Sequence, residues 1–135
     1  MDFLFPQLQL PSLNEIVNLT KRQRGGYSPY NELKRSVEGY MVLCIKRTLR
    51  DASVEDWKVP VSSVFAFTWY PVDRRTDPDN VTAGQKVVFD ALVKSGVLLN
   101  DNALYVSEIS HRFVYGSEEP LRPAVLVSIV ALDGE

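Results

Sequence analysis

The sequence contains very few of the residues that most often build catalytic and structural sites. Among its 135 residues there is one cysteine, Cys44, and one histidine, His111. A single cysteine excludes an intramolecular disulfide framework, and the pair is too small to form a zinc site of cysteine and histidine ligands. There is also no Gly-x-Ser-x-Gly motif, no phosphate-binding loop and no dinucleotide fingerprint. Candidate chemistry is therefore left to acidic, basic and amide side chains.

Long apolar segments are absent as well. No hydrophobic run approaches the roughly 18 residues that a membrane-spanning helix needs. The N-terminus lacks a basic start, and Pro6 interrupts its short apolar stretch, so we expect neither a secretory signal nor a membrane segment. The length suits one domain spanning residues 1–135, and we predict a soluble, cytoplasmic protein.

Charge is unevenly distributed along the chain. The net charge is only −2, which argues against nucleic-acid binding through overall basicity. However, Lys21–Arg50 contains eight basic residues and two acidic ones, a balance of +6, so the rest of the chain carries −8. A basic segment combined with an acidic cluster suits an enzyme that binds a polyanion and a cation. The alternative is an ordinary solvated helix face with acidic loops.

The hydrophobic pattern predicts a single α+β domain with a mixed sheet and two helices. Ser28 followed by Pro29 is typical of a helix start, and Thr82 with Gln85 predicts a capping box for the second helix. The segment 61–70 is apolar on both faces, which indicates a central strand. The predicted order is β-α-β-α-β-β: strand 3–10, helix 29–50, strand 61–70, helix 82–95, strand 104–115 and strand 124–132.

The acidic residues around the second helix are the main candidates for a metal site. Asp77 and Asp79 are two residues apart in an extended segment, so their carboxylates point the same way and repel unless a cation or a proton separates them. Mg²⁺ with oxygen ligands is a natural solution, although Asp-Pro-Asp-Asn also suits a simple turn. Asp101 lies beyond the helix, so it can join them only if the chain folds back or if a second chain supplies it.

Lys86 and Asp90 are four residues apart and share one face of the predicted second helix. Lys86 could reach into an acidic site and stabilise negative charge there, or it could form an ordinary surface ion pair with Asp90. Cys44 lies on the apolar stripe of the first helix and is interpreted as a structural cysteine. His111 is assigned to a strand face rather than to general-base catalysis.

These residues, taken in order, resemble the RusA family of Holliday junction resolvases, which are crossover junction endodeoxyribonucleases of bacteria and prophages. The resemblance is carried by Asp77-Pro78-Asp79-Asn80, by the helix from Lys86 through Asp90-Ala91-Leu92 to Gly96, and by Asn100-Asp101-Asn102. The segment Leu10-Pro11-Ser12-Leu13-Asn14 also resembles the family's opening after its first strand. The match extends over most of the chain and is most specific from Arg74 to Asp101.

The resemblance implies a function and a set of site residues. It implies an α+β endonuclease that resolves Holliday junctions by paired symmetric nicks in DNA recombination and repair, in a bacterial or phage-infected cell. It also implies a homodimer bound to branched DNA, with Mg²⁺ or Mn²⁺ as cofactor. Asp77, Asp79 and Asp101 match the metal-binding carboxylates and Lys86 matches the catalytic lysine, with Asn80 and Asp90 in supporting roles.

Two features depart from the family pattern. Position 100 is Asn where well-known members have a second Asp, and the spacing from Asn80 to Lys86 is three residues longer than in the shorter members. A shift of three residues is nearly one helical turn, so the facing of Lys86 is roughly preserved. We expect Lys21, Arg22, Arg24, Arg74 and Arg75 to contact DNA phosphates. The alternatives are a non-catalytic protein that binds branched DNA and a broader flap or fork nuclease.

Overall fold

A computed structural model describes residues 1–7, 21–22, 28–75, 77–116 and 120–133, and the structural statements below concern these residues. The described chain forms a four-stranded mixed sheet, two long helices and one short helix. The elements are β1 Asp2–Phe5, α1 Pro29–Asp51, β2 Ser63–Tyr70, α2 Pro78–Thr82, α3 Gln85–Ser95, β3 Val106–Phe113 and β4 Ala124–Ala131.

The strand order in the sheet is β1-β4-β2-β3. Strand β4 pairs antiparallel with both β1 and β2, whereas β2 pairs parallel with β3. The register aligns Phe3, Val127, Phe67 and His111 in one row across the sheet. Both the α+β class and the predicted order of strands and long helices are confirmed, and β2 is a central strand as its two apolar faces indicate.

The helices cover one face of the sheet because each has a single apolar stripe. In α1 the buried residues recur at Val37, Met41, Ile45 and Leu49, one per helical turn. Helix α3 buries five of its eleven residues, and Phe89 contacts the rings of both Phe65 and Phe67 on β2. This packing fixes α1 and α3 against each other and against β2, and it determines which side of each helix carries polar groups. The buried residues of α3 are Val87, Val88, Phe89, Ala91 and Leu92.

The start of α1 is as predicted, but the start of α3 is not. Ser28 has extended backbone angles and its hydroxyl accepts a hydrogen bond from the Asn31 amide at 3.3 Å. The capping box predicted at Thr82 is wrong, because Pro78 begins the separate helix α2 and Thr82 is its last residue. The Thr82 hydroxyl donates to the carbonyl of Asp79 instead, and α3 begins after Gly84.

The strands are shorter than predicted. Strand β1 ends at Phe5, with Pro6 and Gln7 in a turn, and residues 8–10 of the predicted strand lie outside the described residues. The basic segment around Arg24 and the Leu10–Asn14 segment also lie outside them. Within the described part of the chain, none of the helices has both the length and the apolar character required to cross a membrane.

Candidate active site

Asp77 and Asp79 lie in the connection that leaves the central strand. Asp77 precedes α2 with extended backbone angles, φ −65° and ψ 141°, and its side chain makes no capping hydrogen bond to the helix. Asp79 lies in the first turn of α2, and both residues are exposed. Pro78 favours this arrangement because its fixed φ suits the first position of a helix. The chain therefore presents two exposed carboxylates at one helix start, while the side chain of Asn80 lies outside the described part of the structure.

Arg122 fixes the place where this connection begins. One of its guanidinium nitrogens, Nη1, donates to the carbonyl of Pro71 at 3.0 Å and to that of Val114 at 2.6 Å. Pro71 directly follows β2 and Val114 directly follows β3, so one side chain joins the carboxyl ends of two parallel strands. The guanidinium also lies 5.4 Å from the centre of the Tyr70 ring. The start of the segment that leads to Asp77 is therefore held by the fold.

Lys86 lies in the first turn of α3 and contacts two carboxylates. Its Nζ is 3.0 Å from Asp90 Oδ1 and 3.2 Å from Asp101 Oδ2. The first contact is the helical pair predicted from the spacing, whereas the second joins residues fifteen positions apart. Hydrogen bonds to Asp90 and then to Asp101 raise the pKa of Lys86 above its ordinary value. The ammonium therefore stays charged at neutral pH.

Asp101 reaches Lys86 because the chain reverses after α3. The helix ends at Ser95, and Gly96 adopts a left-handed conformation with φ 90° that turns the chain back. The amide of Leu98 then donates to the carbonyl of Leu92 at 3.3 Å, and the Leu98 side chain is buried. The connection after α3 folds back and brings Asp101 to Lys86, but within the described residues it does not bring Asp101 into a metal-binding group with Asp77 and Asp79. Asp101 thus lies beside the N-terminal part of α3.

Asp90 connects this contact to the first helix. Its Oδ2 lies 2.6 Å from Nζ of Lys34 on α1, while its Oδ1 faces Lys86. Partial burial alone would raise the pKa of the Asp90 carboxyl, but hydrogen bonds from Lys34 and Lys86 outweigh it and the net pKa is lowered. Lys34 also lies 3.6 Å from Glu38, which in turn lies 3.8 Å from Lys94. We call these six alternating charges the lysine-acid network: Lys94, Glu38, Lys34, Asp90, Lys86 and Asp101.

The carboxylates suit Mg²⁺ chemically, but they do not form a preassembled three-acid cage. Exposed carboxylate oxygens are the ligands that Mg²⁺ prefers, and it often takes only one or two of them. Within the described ranges, no group of three or more His, Cys, Asp or Glu residues lies close enough together to hold a metal ion. A single copy therefore offers the exposed pair Asp77 and Asp79, and separately Asp101 held by Lys86.

The predicted DNA-contacting residues differ in their surroundings. Lys21 and Arg22 are exposed, and Arg24 lies outside the described residues. The Arg74 guanidinium lies 4.3 Å from the centre of the Tyr115 ring, and Arg75 pairs loosely with Asp73 at 3.6 Å. The Arg75 side chain is 92% exposed, so it keeps most of its capacity for other anions. Arg74 and Arg75 lie on the same connection as Asp77 and Asp79.

Cys44 and His111, for which the sequence predicts no catalytic role, both contact other side chains of the fold. Cys44 is a half-buried free cysteine that packs against the core. His111 lies on β3, where its Nδ1 accepts a hydrogen bond of 2.9 Å from Trp69 Nε1, and its ring stacks on Phe67. Partial burial there lowers the pKa of His111. Both predictions, a structural cysteine and a histidine on a strand face, agree with these positions.

Sequence reasoning missed Lys34 as a member of the site. Its local signal was only the spacing to Glu38 on α1, which is common on solvated helices. Its contact with Asp90 depends on how α1 packs on α3, and no sequence pattern reports that geometry. Comparison with known proteins adds no assignment, since no model of a known family matches the chain and no curated protein matches it either.

Proposed function

We propose that the protein is a metal-dependent endonuclease that cuts branched DNA, resolving four-way junctions by paired symmetric nicks. The observation that carries the proposal is the contact of Lys86 with Asp101 at 3.2 Å. It joins a cation at the start of α3 to a carboxylate from beyond its end, and both residues match the catalytic positions of the RusA family. A plain surface pair between Lys86 and Asp90 alone would not require the chain to return to this place.

The acidic side chains would hold the metal ion. Asp77 and Asp79 are exposed on the connection before α3, and Asp101, on the connection after α3, lies beside Lys86. Mg²⁺, or Mn²⁺ in its place, commonly binds one or two carboxylates and completes its shell with water and substrate phosphate. When bound, such an ion supplies an activated water and neutralises phosphate charge. Substrate binding would then complete a shell that the chain alone leaves open.

Lys86 would stabilise the negative charge that develops on the scissile phosphate. The Lys86 side chain is 65% exposed, so a phosphate oxygen can approach it, and its raised pKa keeps the positive charge at neutral pH. Arg74 and Arg75 would grip flanking phosphates from the connection that carries Asp77 and Asp79. A four-way junction is two-fold symmetric, so a homodimer would present one site to each of two opposed strands.

The test is cleavage of a labelled four-way junction, a fork and a linear duplex, each in Mg²⁺ and in chelator. We expect metal-dependent cleavage of the junction, loss of cleavage in Asp79→Asn, and wild-type rates in Asp56→Asn. Asp56 is a matched control because it is an exposed acid in the connection between α1 and β2, away from the site residues. Equal cleavage of forks and flaps would instead indicate a broader structure-selective nuclease.

A second candidate is a non-catalytic protein that binds branched DNA. It is favoured by one observation, namely that the described residues include no group of three acids placed to hold a metal. In that case junction binding would be salt-sensitive, as phosphate contacts require, and would not change between wild type and Asp79→Asn. Binding without cleavage in both Mg²⁺ and Mn²⁺ would select this candidate.

A further inference from the structure

The lysine-acid network is most protected at its centre and more exposed at Lys86 and Lys94. The side chains of Lys34 and Asp90 are 27% and 22% exposed, whereas that of Lys86 is 65% exposed. The shortest ion pair of the network, 2.6 Å between Lys34 and Asp90, therefore lies in its protected centre. The Lys86 side chain is exposed enough for a substrate to reach it, and one of its two carboxylate partners, Asp90, is itself held by Lys34.

We propose that Lys34 is a positioning residue: it holds Asp90 from α1 and thereby fixes the Lys86 ammonium beside Asp101. The proposal rests on the proposed role of Lys86 in DNA cleavage. Lys34 itself would not touch the DNA. Its effect passes through Asp90, whose two oxygens each face a different ammonium.

The physical reason is the division of one carboxylate between two cations. Asp90 gives Oδ2 to Lys34 and Oδ1 to Lys86, so neither lysine can take both oxygens. Without Lys34, the carboxylate would turn both oxygens toward the one remaining ammonium. Lys86 would then move onto Asp90 and away from Asp101, to which it now lies at 3.2 Å. A shift of about 1 Å in a catalytic group can reduce a rate by about a hundredfold.

The anchoring of Lys34 is consistent with this role. Lys34 lies on α1 one turn before the buried Val37, and Asp90 lies on α3 next to the buried Phe89 and Ala91. Both ends of the ion pair are thus attached to backbone that the core immobilises. Glu38, 3.6 Å from Lys34, keeps the Lys34 ammonium on this side of α1.

Three variants test the proposal, with two independent readouts. Lys34→Met removes the charge, Lys34→Arg retains it, and Lys46→Met is the control because Lys46 is an exposed lysine on the same helix that lies outside the lysine-acid network. The first readout is the order of the Lys86 ammonium, measured by nitrogen-15 NMR relaxation without DNA. The second is the single-turnover rate and Kd for a four-way junction in Mg²⁺.

We expect Lys34→Met to lower the order of the Lys86 ammonium and to reduce the single-turnover rate about 10- to 100-fold, with Kd unchanged. Lys34→Arg should regain most of the rate, and Lys46→Met should behave as wild type. A higher Kd with an unchanged rate would make Lys34 a DNA contact and overturn the proposal. Unchanged order and an unchanged rate would overturn it as well.

The two readouts separate this proposal from the proposed function. If the wild type cleaves no branched DNA, the nuclease assignment fails, while the order of Lys86 in Lys34→Met still decides whether Lys34 positions it. If Lys34→Met does not fold, Asp90→Asn carries the same test, because the amide keeps the shape but loses the charge between the two lysines. Full order of Lys86 in Asp90→Asn would then overturn the proposal.

Discussion

Lys86 illustrates how one surface side chain acquires a defined position. A lone lysine on a helix samples many rotamers, but this ammonium lies within 3.2 Å of carboxylates from two parts of the chain. Two partners in different directions restrict it more than a helical pair alone, which contributes only about 0.3–0.5 kcal/mol. The restriction matters for a group whose proposed role is to meet charge that develops at one point.

We expect Lys86→Met to lower the junction cleavage rate about 100-fold or more, the size of effect seen when one charge-stabilising group is removed. Junction affinity should change little, because a single phosphate contact contributes a small share of binding. Single-turnover rates and Kd measured for Lys86→Met and for the control Lys46→Met, which changes an exposed lysine outside the network, provide the check. A rate within twofold of wild type would show that Lys86 has no catalytic role.

His111 gives the protein a pH-dependent contact. Its neutral ring accepts the Trp69 hydrogen bond through Nδ1, and protonation there would break that bond. Because the pKa of His111 is lowered in the fold from its ordinary value near 6.5, the unfolded chain binds the proton more readily. The contribution of His111 to the free energy of unfolding is therefore complete above about pH 6.5. It is lost as the pH falls through the lowered pKa that His111 has in the folded state.

Urea unfolding at pH 7 and pH 5 tests this expectation. Wild type should lose more stability between the two pH values than His111→Gln, whose amide oxygen can accept from Trp69 without titrating in this range. Comparing the two proteins removes the contribution of the carboxylates to the loss of stability, because they titrate in both proteins. Equal losses in the two proteins would show that His111 titrates alike in the folded and unfolded states.

Among the elements, the connection after α3 has the largest consequence for the site. Gly96 at φ 90° begins the reversal that returns the chain toward Lys86. We expect Gly96→Ala to destabilise the protein by about 1–2 kcal/mol, since a side chain is disfavoured in this conformation. The effect should extend to the contact between Asp101 and Lys86, because Gly96 sets the direction of the chain.

Gly39→Ala is the matched control for Gly96→Ala. Gly39 lies inside α1, where an added Cβ meets nothing within 4 Å, so the substitution should stabilise by about 0.5–1 kcal/mol through helix propensity. Chemical unfolding of both variants gives the two free-energy changes. Changes of the same sign would contradict the backbone explanation for Gly96.

The elements also show what the sequence could and could not predict. The central strand β2 and the apolar stripe of α1 were predictable, because periodicity and burial follow directly from residue order. The capping box was wrong because Pro78 starts a separate short helix, which changes the meaning of Thr82 from a start to an end. The contact of Asp101 with Lys86 was not predicted, since it depends on how the chain after Gly96 packs.

The whole molecule separates its charges, with +6 in Lys21–Arg50 and −8 elsewhere. A nuclease with this balance must bind DNA through local basic groups rather than through its overall field. Among the predicted DNA contacts, Arg75 has a side chain that is 92% exposed, and its acidic neighbour Asp73 is 3.6 Å away. Arg75 therefore offers a direct test of local phosphate contact.

We expect Arg75→Gln to weaken junction binding and to reduce the slope of log Kd against log salt by about one, as the loss of one phosphate contact predicts. Lys58→Gln is the control, because Lys58 is exposed and lines a cavity with Gly96 and Val97 at the other end of α3. Fluorescence anisotropy over a range of salt concentrations measures both slopes. An unchanged slope in Arg75→Gln would show that Arg75 does not contact a DNA phosphate.

The proposal that this chain cuts branched DNA is tested most directly by mapping the products of one junction substrate. A synthetic four-way junction labelled on each strand is incubated with the wild-type protein in Mg²⁺, and the products are mapped to the nucleotide. We expect two symmetric nicks on opposed strands, dependent on metal, with ends that a ligase can seal. Stable junction binding with no nicks in either Mg²⁺ or Mn²⁺ would contradict the proposal.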